Sequence, residues 1–366
     1  GLSLFSEVTY ANPSKGVLEI NVRQLPSWLA LPSSKKTDQD GLIIGPGLVF
    51  FDLFGLDYRY DFYARSSINP LFRSNEILTF LESPWLGGLP IDNSIAFMHI
   101  RSFNSLKLYD ETSFNTFAQG CYRLVSSDLS ESWCMGGRLE YLAVKRVDSS
   151  RIFPHFSDRS EQWKGYEHTA KVGLYGWVDT RDRKLDPHWG SYTEMLGSKA
   201  GGGSTSADYW ELIFDHRFWY ELLPRTVFHG SLLDRHRLGS VPRYEYYHAG
   251  GANSLRGFLP DTARWAPEEI LATAEVRYDI IPRKATSFWG ANGVFGLQGV
   301  VGYDYLIHHN SFNNLKTYSS IYTGAHLLLA GLDRIRLEIG YNPENEGPVF
   351  TLGFFEKSTT QRPSVR

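Results

Sequence analysis

The sequence predicts an all-β fold, a transmembrane antiparallel β-barrel of about sixteen strands, and three observations predict it. First, apolar and charged residues alternate with period two. In LDYRYDFYAR, Leu56, Tyr58, Tyr60, Phe62 and Ala64 share one face, and Asp57, Arg59, Asp61, Tyr63 and Arg65 the other. In ILATAEVRYDI, Ala274, Val276, Tyr278 and Ile280 oppose Thr273, Glu275, Arg277 and Asp279; in DRIRLEIGY, Ile335, Leu337, Ile339 and Tyr341 oppose Arg334, Arg336, Glu338 and Gly340. Second, aromatic residues make up 15% of the 366 residues and glycines number 34, yet only 42% of the chain is hydrophobic. Third, no run of eighteen apolar residues occurs, so a membrane-spanning helix is excluded while spanning strands are not. A water-soluble sandwich also alternates, but the polar faces here carry full charges of both signs along strands rich in Tyr and Trp. That suits a lipid-facing exterior around a wet lumen.

Turn signals divide the chain into strands in order. The first runs near Trp28 to Ser34, flanked or interrupted by Pro26 and Pro32, which suits an edge because proline cannot donate to a ladder. Seven follow near Leu42 to Leu53, Leu56 to Ser66, Asn75 to Glu82, Asn93 to Phe103, Ser113 to Leu124, Glu131 to Val147 and Tyr166 to Asp179. Eight more lie near Gly190 to Ala200, Asp208 to Tyr220, Thr226 to Arg235, Glu269 to Ile281, Val294 to Leu306, Tyr318 to Leu329, Arg334 to Tyr341 and Val349 to Phe355. An even number closes an antiparallel barrel with both ends on one side. The barrel is assigned to residues 25–356, and 357–366 form a polar tail. The opening GLSLFSEVTY lacks the basic and apolar regions of a signal peptide, so an exported chain has already lost its leader.

Cys121 and Cys134 both fall on polar faces, the first with Asn115, Gln119 and Arg123 and the second with Arg138 and Glu140. If Val125 to Ser130 closes the hairpin, Cys121 faces Cys134 directly and Tyr122 faces Trp133. A disulfide is then possible in an exported compartment, and two free thiols of matching parity are the alternative.

The stretch GGANSLRGF holds Gly250, Gly251, Leu255, Arg256, Gly257 and Phe258. A phosphate-binding P-loop needs Lys and Ser or Thr after its glycines, and Arg-Gly-Phe stands there instead. Glycine permits tight backbone paths, and a planar arginine fork suits a carboxylate. Glu275 is inward by parity, and so is Asp304 if Tyr303 and Tyr305 face lipid. Arg256 is therefore expected to bridge Glu275 and Asp304 inside the barrel, with Phe258 beside them. GGANSLRGF also resembles the signature loop of the BamA/TamA-like outer-membrane assembly factor superfamily, which includes organellar import barrels and two-partner secretion transporters. Four further stretches are similar in order: Asp179-Thr180-Arg181 with Pro187 and Gly190, then AEVRYDI with Glu275, VGYDY with Asp304, and TGAHLLLAGLDRIRLEIGY followed by GPVFTLGFF. The resemblance spans about Leu42 to Phe355. It implies that the long loop folds back into the lumen and docks on the inner wall.

The resemblance further implies an outer-membrane protein of the Gram-negative envelope that inserts or translocates polypeptides, with strand addition at a lateral seam. A two-partner-secretion pore and a membrane anchor for an N-terminal enzyme are alternatives. Partners implied are outer-membrane lipid including lipopolysaccharide, unfolded outer-membrane or secreted polypeptides, and periplasmic or lipoprotein accessory subunits. Residues 1–24 contain FSEVTY and GVLEINVRQ, which resemble the last two strands of a POTRA domain. The formal net charge of −3 and the lack of a basic stripe give no case for nucleic acid. No GxSxG, HExxH or metal-spaced histidines occur, and DTRDRKLDPHWG lacks EF-hand spacing, so no enzyme, cofactor or metal is expected. The seam should be weak, since prolines border one of its two strands.

Overall fold

The structure is a computed structural model. It describes residues 5–14, 17–24, 28–37, 41–53, 58–67, 72–83, 86, 89–104, 109–125, 131–148, 166–183, 186–202, 207–242, 245–251, 254–258, 265–288, 291–310, 314–329, 334–344 and 347–354. In chain order the strands are β1 (Phe5–Ser14), β2 (Val17–Gln24), β3 (Trp28–Thr37), β4 (Gly41–Leu53), β5 (Tyr58–Ser67), β6 (Phe72–Ser83) and β7 (Ile91–Asn104). Next come β8 (Tyr109–Val125), β9 (Ser132–Asp148), β10 (Glu167–Asp179), β11 (Gly190–Gly201), β12 (Asp208–Leu223) and β13 (Thr226–Ser240). The last are β14 (Tyr247–His248), β15 (Trp265–Ala266), β16 (Glu268–Phe288), β17 (Ala291–Asn310), β18 (Asn314–Leu329), β19 (Arg334–Tyr341) and β20 (Val349–Phe354).

One antiparallel sheet of sixteen strands forms the wall, running from β3 to β20 in chain order with only β14 and β15 left out. Those two pair with each other inside the long β13–β16 connection. β1 and β2 pair in a sheet of their own. The expected strands are thus present, several longer than the alternation suggested. β16 runs to Phe288 rather than Ile281, because pairing with β17 continues past a bulge near Ile281. The tail at 357–366 lies outside the described residues, as do Pro26, Leu56 and Asp57.

Burial along the strands is inverted relative to a soluble protein. On the outer face, Leu139, Val172, Leu174, Leu212, Val276, Val301 and Leu337 are exposed. On the inner face, Glu140, Lys171, Glu211, Glu275, Asp304 and Glu338 are buried. A sandwich in water buries its apolar faces; this wall buries its charges and offers hydrocarbon outward, as a lipid-embedded barrel does.

The seam and the cysteine hairpin refine the expectations. β3 and β20 approach within 8 Å between Cα atoms, yet among the described residues no ladder joins them. Pro32 on β3 stands opposite Pro46 on β4. The β4–β5 ladder skips Gly45 and Pro46, so pairing is interrupted one strand in from the seam, while the β3–β4 ladder runs through. In the β8–β9 hairpin, direct opposition of Cys121 and Cys134 is corrected. Val125 pairs with Ser132, so Cys121 faces Gly136, Tyr122 faces Met135 and Arg123 faces Cys134. The connection is longer than expected, and the register moves by two residues, which keeps both cysteines on the lumen face. They are diagonal neighbours, 5.6 Å apart between Cα atoms and joined as a disulfide. Gly136 makes this possible, because a Cβ there would run into Cys121.

Leu174 near the middle of β10 is 74% exposed on the outer face. Leu174→Arg is expected to destabilise the bilayer-inserted barrel by about 2–4 kcal/mol, the cost of a lipid-facing arginine near the midplane. Urea titration of the vesicle-folded protein measures it, and a near-neutral effect would contradict a lipid-facing wall.

Candidate functional site

The long connection from β13 to β16 places a compact turn against the inner wall. Gly250 and Gly251 have φ of 125° and 92°, in the region that favours glycine. The Gly251 amide donates to the Phe258 carbonyl at 2.9 Å, closing the turn, and the Gly250 amide donates to Ser254 Oγ at 2.8 Å. Leu255 and Phe258 are fully buried with Ala249, Leu271 and Leu306, and Phe258 meets Tyr318 edge-on at 5.8 Å. This apolar patch orients the tip so that Arg256 points at the wall.

Arg256 meets three carboxylates from three strands. Its Nε and Nη2 donate to both oxygens of Asp304 on β17, at 2.9 and 2.8 Å, and its own amide donates to Asp304 Oδ2 at 3.0 Å. Its Nη1 donates to Glu275 on β16 at 3.0 Å and to Glu338 on β19 at 3.3 Å. Tyr322 on β18 lies with its ring centroid 3.5 Å from the guanidinium and donates its hydroxyl to Glu275 at 2.7 Å. Thr273 Oγ1 donates to Asp304 at 2.8 Å, Arg277 donates to Glu275, and His326 is 2.9 Å from Glu338. Burial opposes the charged guanidinium, but Asp304, then Tyr322 and Glu338, outweigh it and hold its pKa well above the ordinary value. Glu275, His326 and Glu338 bring ligand-type atoms within 4.8 Å of one another, a spacing a metal could use. The guanidiniums of Arg256 and Arg277 already occupy Glu275, however, so the set is an ion-pair cluster.

Two backbone approaches complete the docking. Gly257 has φ of 87°, and a Cβ there would come 3.0 Å from the Tyr341 amide nitrogen. Gly340 on β19 faces it, and a Cβ on Gly340 would strike the Gly257 backbone. Asn342 then donates to the Gly257 carbonyl. On β17, Gly302 leaves the space that the Tyr322 hydroxyl fills on its way to Glu275.

The structure therefore brings Leu255, Arg256, Gly257, Phe258, Glu275 and Asp304 into one cluster, with Gly250 and Gly251 shaping the turn. Glu338, Tyr322 and Gly340 belong to it and were missed. Parity had put Glu338 on the polar face, but nothing local linked it to the loop. The Asp179 segment is not part of this cluster. Arg181 donates twice to Asp179 at 2.8 Å and stacks over Tyr192 and Trp219. Gly190 has φ of 98°, and a Cβ there would strike the Thr180 carbonyl. Pro187 is buried beside Asp186, which accepts from Gln298 at 2.8 Å; Gln298 also donates to Asp279. This segment ties the β10–β11 turn across to β16 and β17.

The Omp85 superfamily domain matches residues 77–293, which is more than half of the chain. No curated protein sequence matches it. Among solved structures, BamA from Haemophilus ducreyi lacking POTRA domains 1-3 is similar with a TM-score of 0.60 at 13% identity, covering 96% of this chain and 74% of that one. CdiB from Escherichia coli gives 0.67 at 11% identity, covering 96% and 66%. CdiB from Acinetobacter baumannii gives 0.60 at 13% identity, covering 92% and 61%. The chain thus spans between three fifths and three quarters of these proteins, and the likeness is one of fold.

Two substitutions test the docking. Arg256→Ala leaves three buried acids short of their loop cation and is expected to cost about 3–5 kcal/mol of tip docking. Gly340→Ala alters no charge, yet it should displace the tip too, because the new Cβ strikes backbone that has no side chain to swing aside. Amide exchange at residues 254–258 in the folded barrel reads both, and slow exchange in Gly340→Ala would show that the close approach is dispensable.

Proposed function

This chain belongs to the Omp85 superfamily, and on that premise we propose that it adds unfolded polypeptide strands to the outer membrane at the seam between β3 and β20. The protein is an outer-membrane barrel of the Gram-negative envelope. The superfamily match and the likeness to BamA and CdiB support a polypeptide insertase or translocator.

The observation that carries insertion is the seam. Its two strands lie side by side without a ladder among the described residues, and the β4–β5 ladder behind it is interrupted at Gly45 and Pro46. An edge with free N–H and C=O groups is a template for an incoming strand. A poorly bonded wall opens sideways at lower cost than a continuous one. Outer-membrane lipid and unfolded polypeptides are the partners this reading requires, with periplasmic or lipoprotein accessory subunits delivering the client.

One observation favours a second reading, a pore that passes polypeptide through the lumen once the loop withdraws. Among the described residues, the strands of the loop, β14 and β15, pair only with each other and make no ladder with the wall. A plug held by side chains leaves without breaking a sheet.

Reconstitution in lipid vesicles separates the readings. The protein is expected to speed the folding of a test barrel relative to protein-free vesicles. A cysteine pair locking β3 to β20, built on Cys121→Ser and Cys134→Ser, should abolish the acceleration until it is reduced. Passage of an unfolded polypeptide through the locked barrel would favour the pore, and undiminished folding acceleration by the locked form would remove the seam from the mechanism.

A further inference from the structure

The loop that carries Arg256 meets the wall at a second place, nearer its start. Glu245 is buried, and its Oε2 lies 3.1 Å from Lys171 Nζ on β10 and 3.3 Å from Arg237 Nη1 on β13. Glu211 on β12 completes the group: Arg237 donates to it through Nε and Nη2 at 2.7 and 2.6 Å, and Lys171 lies 3.8 Å from it. Tyr247, two residues further along the loop, donates its hydroxyl to Glu211 at 3.2 Å. Its ring lies 4.2 Å from the Arg237 guanidinium and 4.3 Å from that of Arg235. Ser198 on β11 also donates to Glu211. Glu245, Glu211, Lys171 and Arg237 are each nine-tenths or more buried.

The charges fit in one sense only. On the wall, Lys171 and Arg237 meet Glu211, and the loop adds the negative charge of Glu245 to both cations. At the tip the sense is reversed, with wall acids receiving a loop cation. The two clusters also stand on different strands, β10, β12 and β13 at the base against β16, β17 and β19 at the tip. We propose that Glu245, with Tyr247, is a second and independent anchor, so that the loop is a strut fixed at two points by ion pairs of opposite polarity and leaves the lumen only when both are broken. A buried pair robbed of one partner leaves an uncompensated charge, so each anchor resists release on its own. Two anchors also discriminate: a segment entering the lumen has to present an acidic group to Lys171 and Arg237 and a basic one to the three acids in order to replace both. The inference concerns the position of the loop and stands apart from whether the barrel inserts or passes polypeptides.

Amide hydrogen exchange on the purified, detergent-folded barrel tests it, with heat-modifiable gel mobility reporting that each variant is folded. Glu245→Gln should speed exchange across residues 245–251 on the order of a hundredfold or more while residues 254–258 stay protected. Arg256→Ala should do the reverse, and the double variant should free both segments and give a sustained open conductance in planar bilayers. Should Glu245→Gln fail to fold, Lys171→Gln weakens the same anchor from the wall side and carries the same expectation. Unchanged exchange at 245–251 when Glu245 or Lys171 is neutralised would overturn the proposal. So would release of both segments by Arg256→Ala alone, because the base would then have no hold of its own.

Discussion

Glu275 and Glu338 stand on the inner wall with carboxylate oxygens within 4.8 Å of each other, and Asp304 joins them through a shared arginine. At an effective dielectric of about 20, two such charges repel by roughly 3–4 kcal/mol. The wall relieves part of this through Arg277, but a charge from off the wall is what ties all three acids together. Arg256 supplies it, and the requirement governs much else: a fork that reaches three strands, an aromatic ring beneath it, and a loop long enough to come back inside. The glycines serve the same end. Gly257 and Gly340 let two backbones touch, and Gly302 clears the path by which Tyr322 reaches Glu275.

The inverted burial of the barrel makes such pairing a general condition. Charges that face the lumen but lie under a loop are removed from bulk water, so they persist only where opposite charges meet them. Asp215 with Arg217 and Arg138 with Glu140 meet this need two residues apart on one strand face, where parity brings them together, and Asp179 at the end of β10 meets it with Arg181 in the turn that follows. The loop clusters meet it across strands. A short-range pair decorates a wall, whereas a pair that joins wall to loop fixes the position of a movable element.

This difference explains what the sequence made legible. Period-two alternation needs only neighbours along one strand, so it located the sixteen strands and the inward face of Glu275 and Asp304 without any knowledge of curvature. It sided Cys121 and Cys134 correctly as well, while missing their register, since parity survives a shift that keeps each side chain on its face and the turn length does not follow from alternation. Arg256 was legible because its glycines and the acids downstream form a recognisable series. Glu338 was sided correctly but not joined to Arg256, because the contact arises where the sheet curls β19 round to the loop. Glu245 was not legible at all. It lies in a loop, where no periodicity assigns a face, and its partner Lys171 is 74 residues away.

The placement of the two loop clusters along the sheet bears on how the barrel could move. The loop leaves the wall after β13, and its base holds β10, β12 and β13, the strands just before its departure. Its tip holds β16, β17 and β19, and β19 is the strand that pairs with β20 at the seam. The loop therefore bridges the middle of the sheet to its closing strands from inside, in parallel with the β13–β16 ladder that joins them in the wall. On the proposed reading, a displacement of the closing strands away from β3 would pull on the tip through Gly340 and Glu338, which pair with Val349 and Thr351 on β20. Loop position and seam geometry are in this way mechanically continuous, and the rigid part of the connection is the cluster of charges that cannot separate without stranding one another.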